Sequence, residues 1–210
     1  MTTMDDLAET LRTETAAIDD IVNFVERGRR AQTAVGDVIR VVADPKWPLI
    51  IVISGGQTGV DQAGLRAAQA CGYRTGGMAP KGWRTDEGPA PWLADYGLVE
   101  GAHYSYAPRT EWNVRNSTGT VWFGDEQSPG GRLTKLACLQ KYRGIDYWLP
   151  NPSIDELRTW IIAQRINTLN VAGNRERTNP GIGARTEAIL RVALNRLTPP
   201  IGEPHAPSTR

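Results

Sequence analysis

The sequence predicts an α/β fold, a mainly parallel sheet with helices on both faces, preceded by an N-terminal helical extension. The chain has 210 residues, of which 40% are hydrophobic and 22% are charged, a composition typical of a globular protein. At roughly 150 residues per domain, this length fits one α/β domain with an appendage better than two full domains. From residue 49 onward, short aliphatic runs alternate with helical patterns, which indicates βαβ units.

The N-terminal extension is predicted to cover residues 1–48. Apolar residues in its first part recur at spacings of three and four, as on one face of an amphipathic helix: Met4, Leu7, Leu11, Ile18, Ile21 and Val25. A second helical pattern follows at Val35, Val38, Ile39 and Val42. Asp44-Pro45 and Pro48 break it, so we place the domain boundary there. The apolar stripe can pack on its own domain or on a second subunit, and we expect a homo-oligomer.

The α/β domain is predicted to cover residues 49–197. Its predicted strands are residues 49–54, 74–78, 120–124, 147–149 and 168–172. Its predicted helices are residues 60–71, 132–142, 154–166 and 182–197. Residues 198–210 contain four prolines and no apolar period, so they cannot bury enough surface to offset their ordering entropy. We predict that this tail is disordered.

The charge balance argues against two classes of partner. Lys and Arg number 24 against 23 Asp and Glu, a formal net charge of +1. Non-specific nucleic-acid binding needs clustered cations, and this chain has no such overall field. The longest aliphatic run, residues 49–53, is far short of the roughly 20 residues that a membrane span needs. Because residues 1–6 are acidic rather than basic, we expect a cytoplasmic protein.

The residues that most often carry catalysis or bind metals are sparse. Cys71 and Cys138 are too few for a disulfide framework or a structural zinc site, and we predict both to be small buried hydrophobic residues. His103, in a strand or turn, and His205, in the tail, favour neither a Ser-His-Asp nor a Cys-His arrangement. No pair of carboxylates can be placed at a defined separation among the five candidates Asp61, Asp86, Glu87, Asp125 and Glu176. The sequence therefore predicts no catalytic residue and no metal site.

Three glycine-rich loops follow predicted strands, where ligands bind in open α/β sheets. In the first loop, paired glycines allow close backbone approach and the free N–H groups of a helix start favour an anion. Its candidate ligand-binding residues are Gly55, Gly56, Gln57, Thr58, Gly59 and Asp61. It lacks the Lys-Ser/Thr ending of a P-loop and the spacing of the dinucleotide fingerprint. The alternative is a tight turn whose glycines serve packing, with Asp61 as a helix-dipole partner.

The second and third loops have the same character. Gly130 and Gly131 are predicted to open a helix with bare amides, and Thr134 lies one turn on; the alternative is a plain helix cap at Ser128 or Asp125. The third loop adds positive charge beside another glycine-rich helix start. Its candidate ligand-binding residues are Gly173, Asn174, Arg175, Arg177 and Gly181. The two arginines can instead be ordinary surface residues.

A mixed-charge loop between strands supplies the remaining candidates, Lys81, Trp83 and Arg84. The indole of Trp83 could stack on a base or a pterin ring. The alternative is a solvated loop with Trp83 folded inward.

Together these loops resemble the molybdenum carrier family, within the SLOG superfamily that includes the lonely-guy phosphoribohydrolases. The resemblance rests on five motifs in the same order: residues 53–61, Pro80-Lys81-Gly82, Arg109-Thr110 with Asn113-Val114, Gly130-Gly131 with Leu133-Thr134, and Asn170-Val171-Ala172-Gly173 with Pro180-Gly181-Ile182. It covers about residues 49–197 and leaves the N-terminal extension outside. It implies a Rossmann-like, often oligomeric domain that holds a phosphorylated ligand such as the pyranopterin molybdenum cofactor.

Two departures from the superfamily's patterns bear on function. Ala137 stands where the phosphoribohydrolases carry a glutamate, which counts against N-glycoside cleavage. Ser117-Thr118 replaces an acidic position of the carrier family. The leading expectation is a non-catalytic binding protein for a phosphorylated, ring-bearing small molecule. The alternatives are sensing or sequestration of a nucleotide-derived signal such as an ADP-ribose derivative, and a phosphoribohydrolase-like nucleotide hydrolase; the sequence does not separate a pterin from a nucleotide.

Overall fold

The computed structural model describes residues 49, 51–142, 147–195 and 197. The helical extension predicted for residues 1–48 and the tail predicted for residues 198–210 lie outside these residues and stay predictions. Within the described ranges, no helix combines the length and the apolar run needed to cross a bilayer.

A six-stranded parallel sheet forms the centre of the α/β domain. Its strands are β1 (Ile51–Ile53), β2 (Arg74–Ala79), β5 (Leu98–Glu100), β6 (Gly119–Phe123), β7 (Trp148–Pro150) and β8 (Thr168–Gly173). They lie side by side in the order β5-β2-β1-β8-β6-β7. At the centre, Val52 is paired with Thr75 of β2 and with Leu169 of β8. A separate antiparallel hairpin joins β3 (Arg84–Thr85) to β4 (Gly88–Pro89).

Helices cover both faces of the sheet. They are α1 (Val60–Ala70), α2 (Tyr106–Arg115), α3 (Pro129–Tyr142), α4 (Ile154–Ala163) and α5 (Ile182–Asn195), with 3-10 turns at Lys81–Trp83 and Pro91–Tyr96. The main core contains residues of α1, α4 and α5, whereas a smaller core contains residues of α2 and α3. Strand β6 contributes to both cores, because successive side chains of a strand point to opposite faces of the sheet. Val121 and Phe123 belong to the main core, and Trp122, between them, belongs to the smaller core. The predicted α/β class, with helices on both faces of a parallel sheet, is confirmed.

The sequence patterns missed three elements of this fold. Strand β5 buries only Leu98, and α2 buries only Asn113 and Val114. Neither segment therefore carries the apolar period that identifies an element. The β3–β4 hairpin has strands of only two residues.

The cysteine prediction is half right. Cys138 is fully buried, and burial raises the pKa of its thiol to about 11. Cys71 is only partly buried, because it follows the last residue of α1 and packs against the edge of the main core. The prediction of a buried residue is therefore wrong for Cys71.

Candidate functional site

An open cleft lies beyond the carboxyl ends of the central strands. Strand β1 lies between β2 on one side and β8 on the other, so the strand order switches direction at β1. Ligands of open α/β sheets usually bind next to such a switch point. Six residues predicted from sequence line this cleft: Gln57, Asp61, Gly130, Thr134, Gly173 and Arg175. The structure thus brings together members of all three glycine-rich loops.

The first loop lies beneath an arginine rather than open to the cleft. Gly55 and Gly56 are buried, and a β-carbon on Gly55 would lie only 1.6 Å from Nη1 of Arg109. Gly56 has φ +76°, and its β-carbon would lie 2.6 Å from Cδ1 of Leu93. In this arrangement Arg109 faces the cleft and the Gly55-Gly56 backbone does not. In this structure Gly55 and Gly56 therefore allow close packing of Arg109 and Leu93.

Arg109 and Asp61 form a buried ion pair at the cleft. Nη1 of Arg109 lies 3.0 Å from Oδ2 of Asp61, and the two side chains are 13% and 4% exposed. The same carboxylate oxygen accepts the N–H of Gln57 at 3.2 Å. Burial raises the pKa of Asp61 above its usual value, and the Arg109 charge offsets part of that rise. Within the described chain, the buried Nε–H of Arg109 has no acceptor, so this arginine retains a donor.

Arg175 and Arg177 are held by a carboxylate of the β3–β4 hairpin. Nη1 of Arg175 lies 2.8 Å from Oδ1 of Asp86, and Nε of Arg177 lies 3.3 Å from Oδ2. The N–H of Asp86 donates to Oε1 of Gln57 at 2.9 Å, which ties the hairpin to the first loop. Arg175 lines the cleft, whereas the side chain of Arg177 is 73% exposed and does not.

Three arginine side chains lie close to the aromatic ring of Tyr106. The guanidinium carbons of Arg175, Arg109 and Arg84 lie 4.5, 5.8 and 5.7 Å from the centroid of the Tyr106 ring, within cation–π range. Arg84 is thereby brought near the cleft without lining it. Lys81 lies instead over the ring of Tyr104, at 5.3 Å. This part of the protein is locally positive although the whole chain is nearly neutral.

The second loop gives the cleft a helix N-terminus. The hydroxyl of Ser128 accepts the N–H of Gly131 at 3.1 Å, which is the helix cap weighed as an alternative. Thr134 donates its hydroxyl to the carbonyl of Gly130 at 2.8 Å, so that proton is not free for a ligand. Gly130 is exposed and lines the cleft, and no acceptor in the described chain is bonded to its N–H. One amide of the predicted pair therefore remains open to an anion.

In the third loop, a glutamate side chain accepts the N–H groups at the start of helix α5. Glu176 accepts the N–H groups of Gly181 and Gly183, at 2.5 and 3.0 Å, and these bonds hold the pKa of its carboxyl below the usual range. Asn174 is equally committed, since its side chain bonds the N–H of Asp125 and the hydroxyl of Ser128. The start of α5 is thus already occupied by a carboxylate. Only Gly173 and Arg175 of this loop reach the cleft.

The remaining predicted residues have structural positions. Trp83 packs against the small hydrophobic cluster around Leu93 and does not line the cleft, in agreement with its inward-folded alternative. A β-carbon on Gly59 would lie 2.5 Å from the backbone nitrogen of Glu176. The N–H of Thr58 is bonded to the side chain of Gln57 at 2.9 Å. The first of these contacts brings the first and third loops together, and the second lies within the first loop.

Sequence reasoning missed the four cleft residues that α2 supplies, Tyr106, Arg109, Thr110 and Asn113. Asn113 bonds both backbone groups of Met78, with Oδ1 accepting at 2.9 Å and Nδ2 donating at 3.2 Å. It therefore fixes α2 to strand β2 and holds Arg109 in place. The Arg109-Thr110 and Asn113-Val114 motif was a signal, but nothing in its spacing pairs it with Asp61. Among the described residues, no group of three potential metal ligands comes together.

Comparisons with known proteins agree with this architecture. The sequence model of the circularly permuted YpsA SLOG family matches residues 52–194. The crystal structure of "Putative molybdenum carrier protein" from Syntrophus aciditrophicus SB is 34% identical in sequence. The match has a TM-score of 0.62 and covers 70% of this chain and 96% of that chain. None of the curated proteins matches. The match to the family's sequence model spans more than half of the chain and confirms the resemblance to the SLOG superfamily. The chain therefore belongs to the circularly permuted YpsA SLOG family.

Proposed function

We propose that the protein binds a phosphorylated small molecule that carries a planar ring, as a carrier of the molybdenum cofactor would. The observation that carries this proposal is one cleft lined by Arg109, Arg175 and the open helix N-terminus at Gly130. A helix N-terminus presents N–H donors and a partial positive charge to an anion. Guanidinium groups add charge-assisted hydrogen bonds, which phosphate oxygens accept well.

The local charges favour an anionic ligand over a neutral one. Three guanidinium groups, those of Arg109, Arg175 and Arg177, are paired with the two carboxylates of Asp61 and Asp86. A fourth, that of Arg84, lies with Arg109 and Arg175 at the Tyr106 ring. Each carboxylate already accepts a hydrogen bond from an arginine, so a neighbouring positive charge offsets its negative charge. The unused Nε–H of Arg109 is a donor that a ligand oxygen can satisfy.

A second candidate function is sensing or sequestration of a nucleotide-derived signal such as an ADP-ribose derivative. The clustering of Arg84, Arg109 and Arg175 about the Tyr106 ring favours it, because two linked phosphates need more than one cation. Both candidates use the same cleft and differ in the ligand's ring and phosphate count.

The experiment is a calorimetric titration with AMP, ADP-ribose and neopterin phosphate, each compared with its dephosphorylated counterpart. We expect at least one phosphorylated compound to bind, with an affinity that falls as salt rises. Charge-assisted hydrogen bonds contribute roughly 1.5–3 kcal/mol, so Arg109→Met should weaken binding about tenfold or more. Equal affinity for a phosphorylated compound and its dephosphorylated counterpart would contradict the proposal.

Arg115→Met is the matched control. Arg115 lies on the same helix as Arg109, but it is exposed and paired with Glu111 at 2.6 Å, away from the cleft lining. We expect this variant to bind like the wild type. If both variants weaken binding equally, the effect is general charge and not the cleft.

A further inference from the structure

The base of the cleft holds buried polar groups that the phosphate site does not use. Trp122 and Asn170 both line the cleft, and each is only 2% exposed. The side chain of Arg175, by comparison, is 33% exposed. The cleft lining therefore combines charged side chains with two buried polar side chains that carry no charge.

Each of these two buried side chains has an unused hydrogen-bonding atom. Within the described chain, Nε1 of Trp122 is buried without an acceptor. Nδ2 of Asn170 donates to Oγ1 of Thr120 at 3.2 Å, while Oδ1 of Asn170 accepts no hydrogen bond from the described residues. Buried polar atoms are normally satisfied, so the unpartnered indole N–H of Trp122 in this cavity wall is a place to look for a ligand. One donor and one acceptor therefore lie unused in the same wall.

The surroundings suit a flat ring. Ala172 and Leu133 line the cleft beside Trp122, so the wall offers apolar area as well as polar atoms. The indole of Trp122 is itself fixed by stacking on Trp148, with ring centroids 5.7 Å apart and planes inclined by 28°. A fixed aromatic wall loses little conformational freedom when a ligand ring packs against it.

We infer that Trp122 and Asn170 form the ring-recognition end of the cleft, selecting a heteroaromatic ring whose edge carries an acceptor next to a donor. This inference rests on the proposed function, since it assigns the ring of the same ligand whose phosphate meets Arg109. The indole N–H donates to the ring's acceptor, and Oδ1 of Asn170 accepts from the ring's donor. Nucleobases and pterins share this edge chemistry.

The test compares ring-bearing phosphates with a ringless one. Wild-type protein is titrated with GMP, AMP, neopterin phosphate and ribose 5-phosphate. We expect at least one ring-bearing compound to bind about tenfold or more tightly than ribose 5-phosphate, an advantage of about 1.4 kcal/mol. The compound with the largest advantage distinguishes a nucleobase from a pterin.

Trp122→Phe keeps an aromatic wall and removes the N–H, so it should abolish most of that advantage while leaving ribose 5-phosphate binding unchanged. Trp148→Phe is the matched control, because Trp148 belongs to the same stack, also has an unpartnered indole N–H and does not line the cleft. We expect it to retain the advantage. Asn170→Ala should reproduce the loss seen with Trp122→Phe.

Two results would overturn the inference alone: ribose 5-phosphate binds as tightly as every ring-bearing compound, or the two tryptophan variants lose the advantage equally. Failure of the proposed function has a different signature. In that case none of the four phosphorylated compounds binds to the wild-type protein, and the inference fails with it.

Discussion

Replacing Arg109 by methionine should leave a buried carboxylate without its cation. Asp61 is 3% exposed and the Arg109 side chain 13% exposed, and 3.0 Å separates their bonded atoms. Methionine keeps the length and the apolar stem of the arginine and removes its charge. Breaking a buried ion pair from one side costs about 3–5 kcal/mol of unfolding free energy. We expect a loss of this size at neutral pH.

The loss should depend on pH with a definite sign. Unfolded Asp61 titrates near 3.8, and burial raises its pKa in the folded protein. Removing Arg109 removes the largest influence opposing that rise, so the folded-state pKa goes higher still. The variant is then least impaired below the unfolded-state value, where Asp61 is protonated in both states. Its stability falls by roughly 1.4 kcal/mol per pH unit as pH rises toward the folded-state pKa.

Urea unfolding at several pH values between 4.5 and 8 measures this effect. The double variant Asp61→Asn with Arg109→Met removes the charge that lacks a partner, and its amide oxygen can still accept the N–H of Gln57. We expect it to be more stable than the single Arg109→Met variant at pH 8. The reasoning is refuted if Arg109→Met costs the same at pH 4.5 and pH 8, or if the double variant is no more stable than the single one.

Three further predictions concern the hairpin, catalysis and assembly. Asp86→Asn frees Arg175 and Arg177 from their ion pairs, so calorimetry should show a phosphorylated ligand binding roughly three- to tenfold more tightly; weaker binding would mean that Asp86 itself contacts the ligand. AMP should not be hydrolysed with multiple turnovers in an assay of released adenine, because Ala137 stands where the phosphoribohydrolases carry a glutamate and packs against the smaller core. Asp61, the carboxylate that lines the cleft, is held by Arg109. Deleting residues 1–44 should lower the oligomeric state in light scattering with the α/β domain still folded, since their apolar stripe is expected to pack on a second subunit; unchanged stoichiometry would indicate packing within the subunit.

The sequence predicted those parts of the fold and site that depend on local patterns. Strand β1 is a continuous aliphatic run and β6 is fully buried. These two strands and β8 are each followed by a glycine-rich loop. The position of the cleft followed from these two features alone. Gln57, Asp61, Gly130 and Arg175 were found in this way.

The rest depends on contacts between residues far apart in the chain. Arg109 lies 48 residues from Asp61, and Arg175 lies 89 residues from Asp86, so no spacing rule pairs them. The sequence of a glycine-rich helix start also does not show which group accepts its N–H hydrogen bonds. At α5 the occupant is Glu176, from the same loop, whereas at α3 the N–H of Gly130 stays open. Trp83 and Asn174 do not line the cleft, because Trp83 packs on a hydrophobic cluster and Asn174 is hydrogen-bonded to a neighbouring loop.

Mass spectrometry of the small molecule released from natively purified protein tests the central claim most directly. Wild-type protein and the Arg109→Met variant are purified in parallel, denatured, and the released compounds compared. We predict that the wild-type protein releases a compound containing both phosphorus and an aromatic heterocycle, and that the variant releases much less of it. A stoichiometric ligand without phosphate, or the same phosphorylated compound released equally by both proteins, would contradict the account.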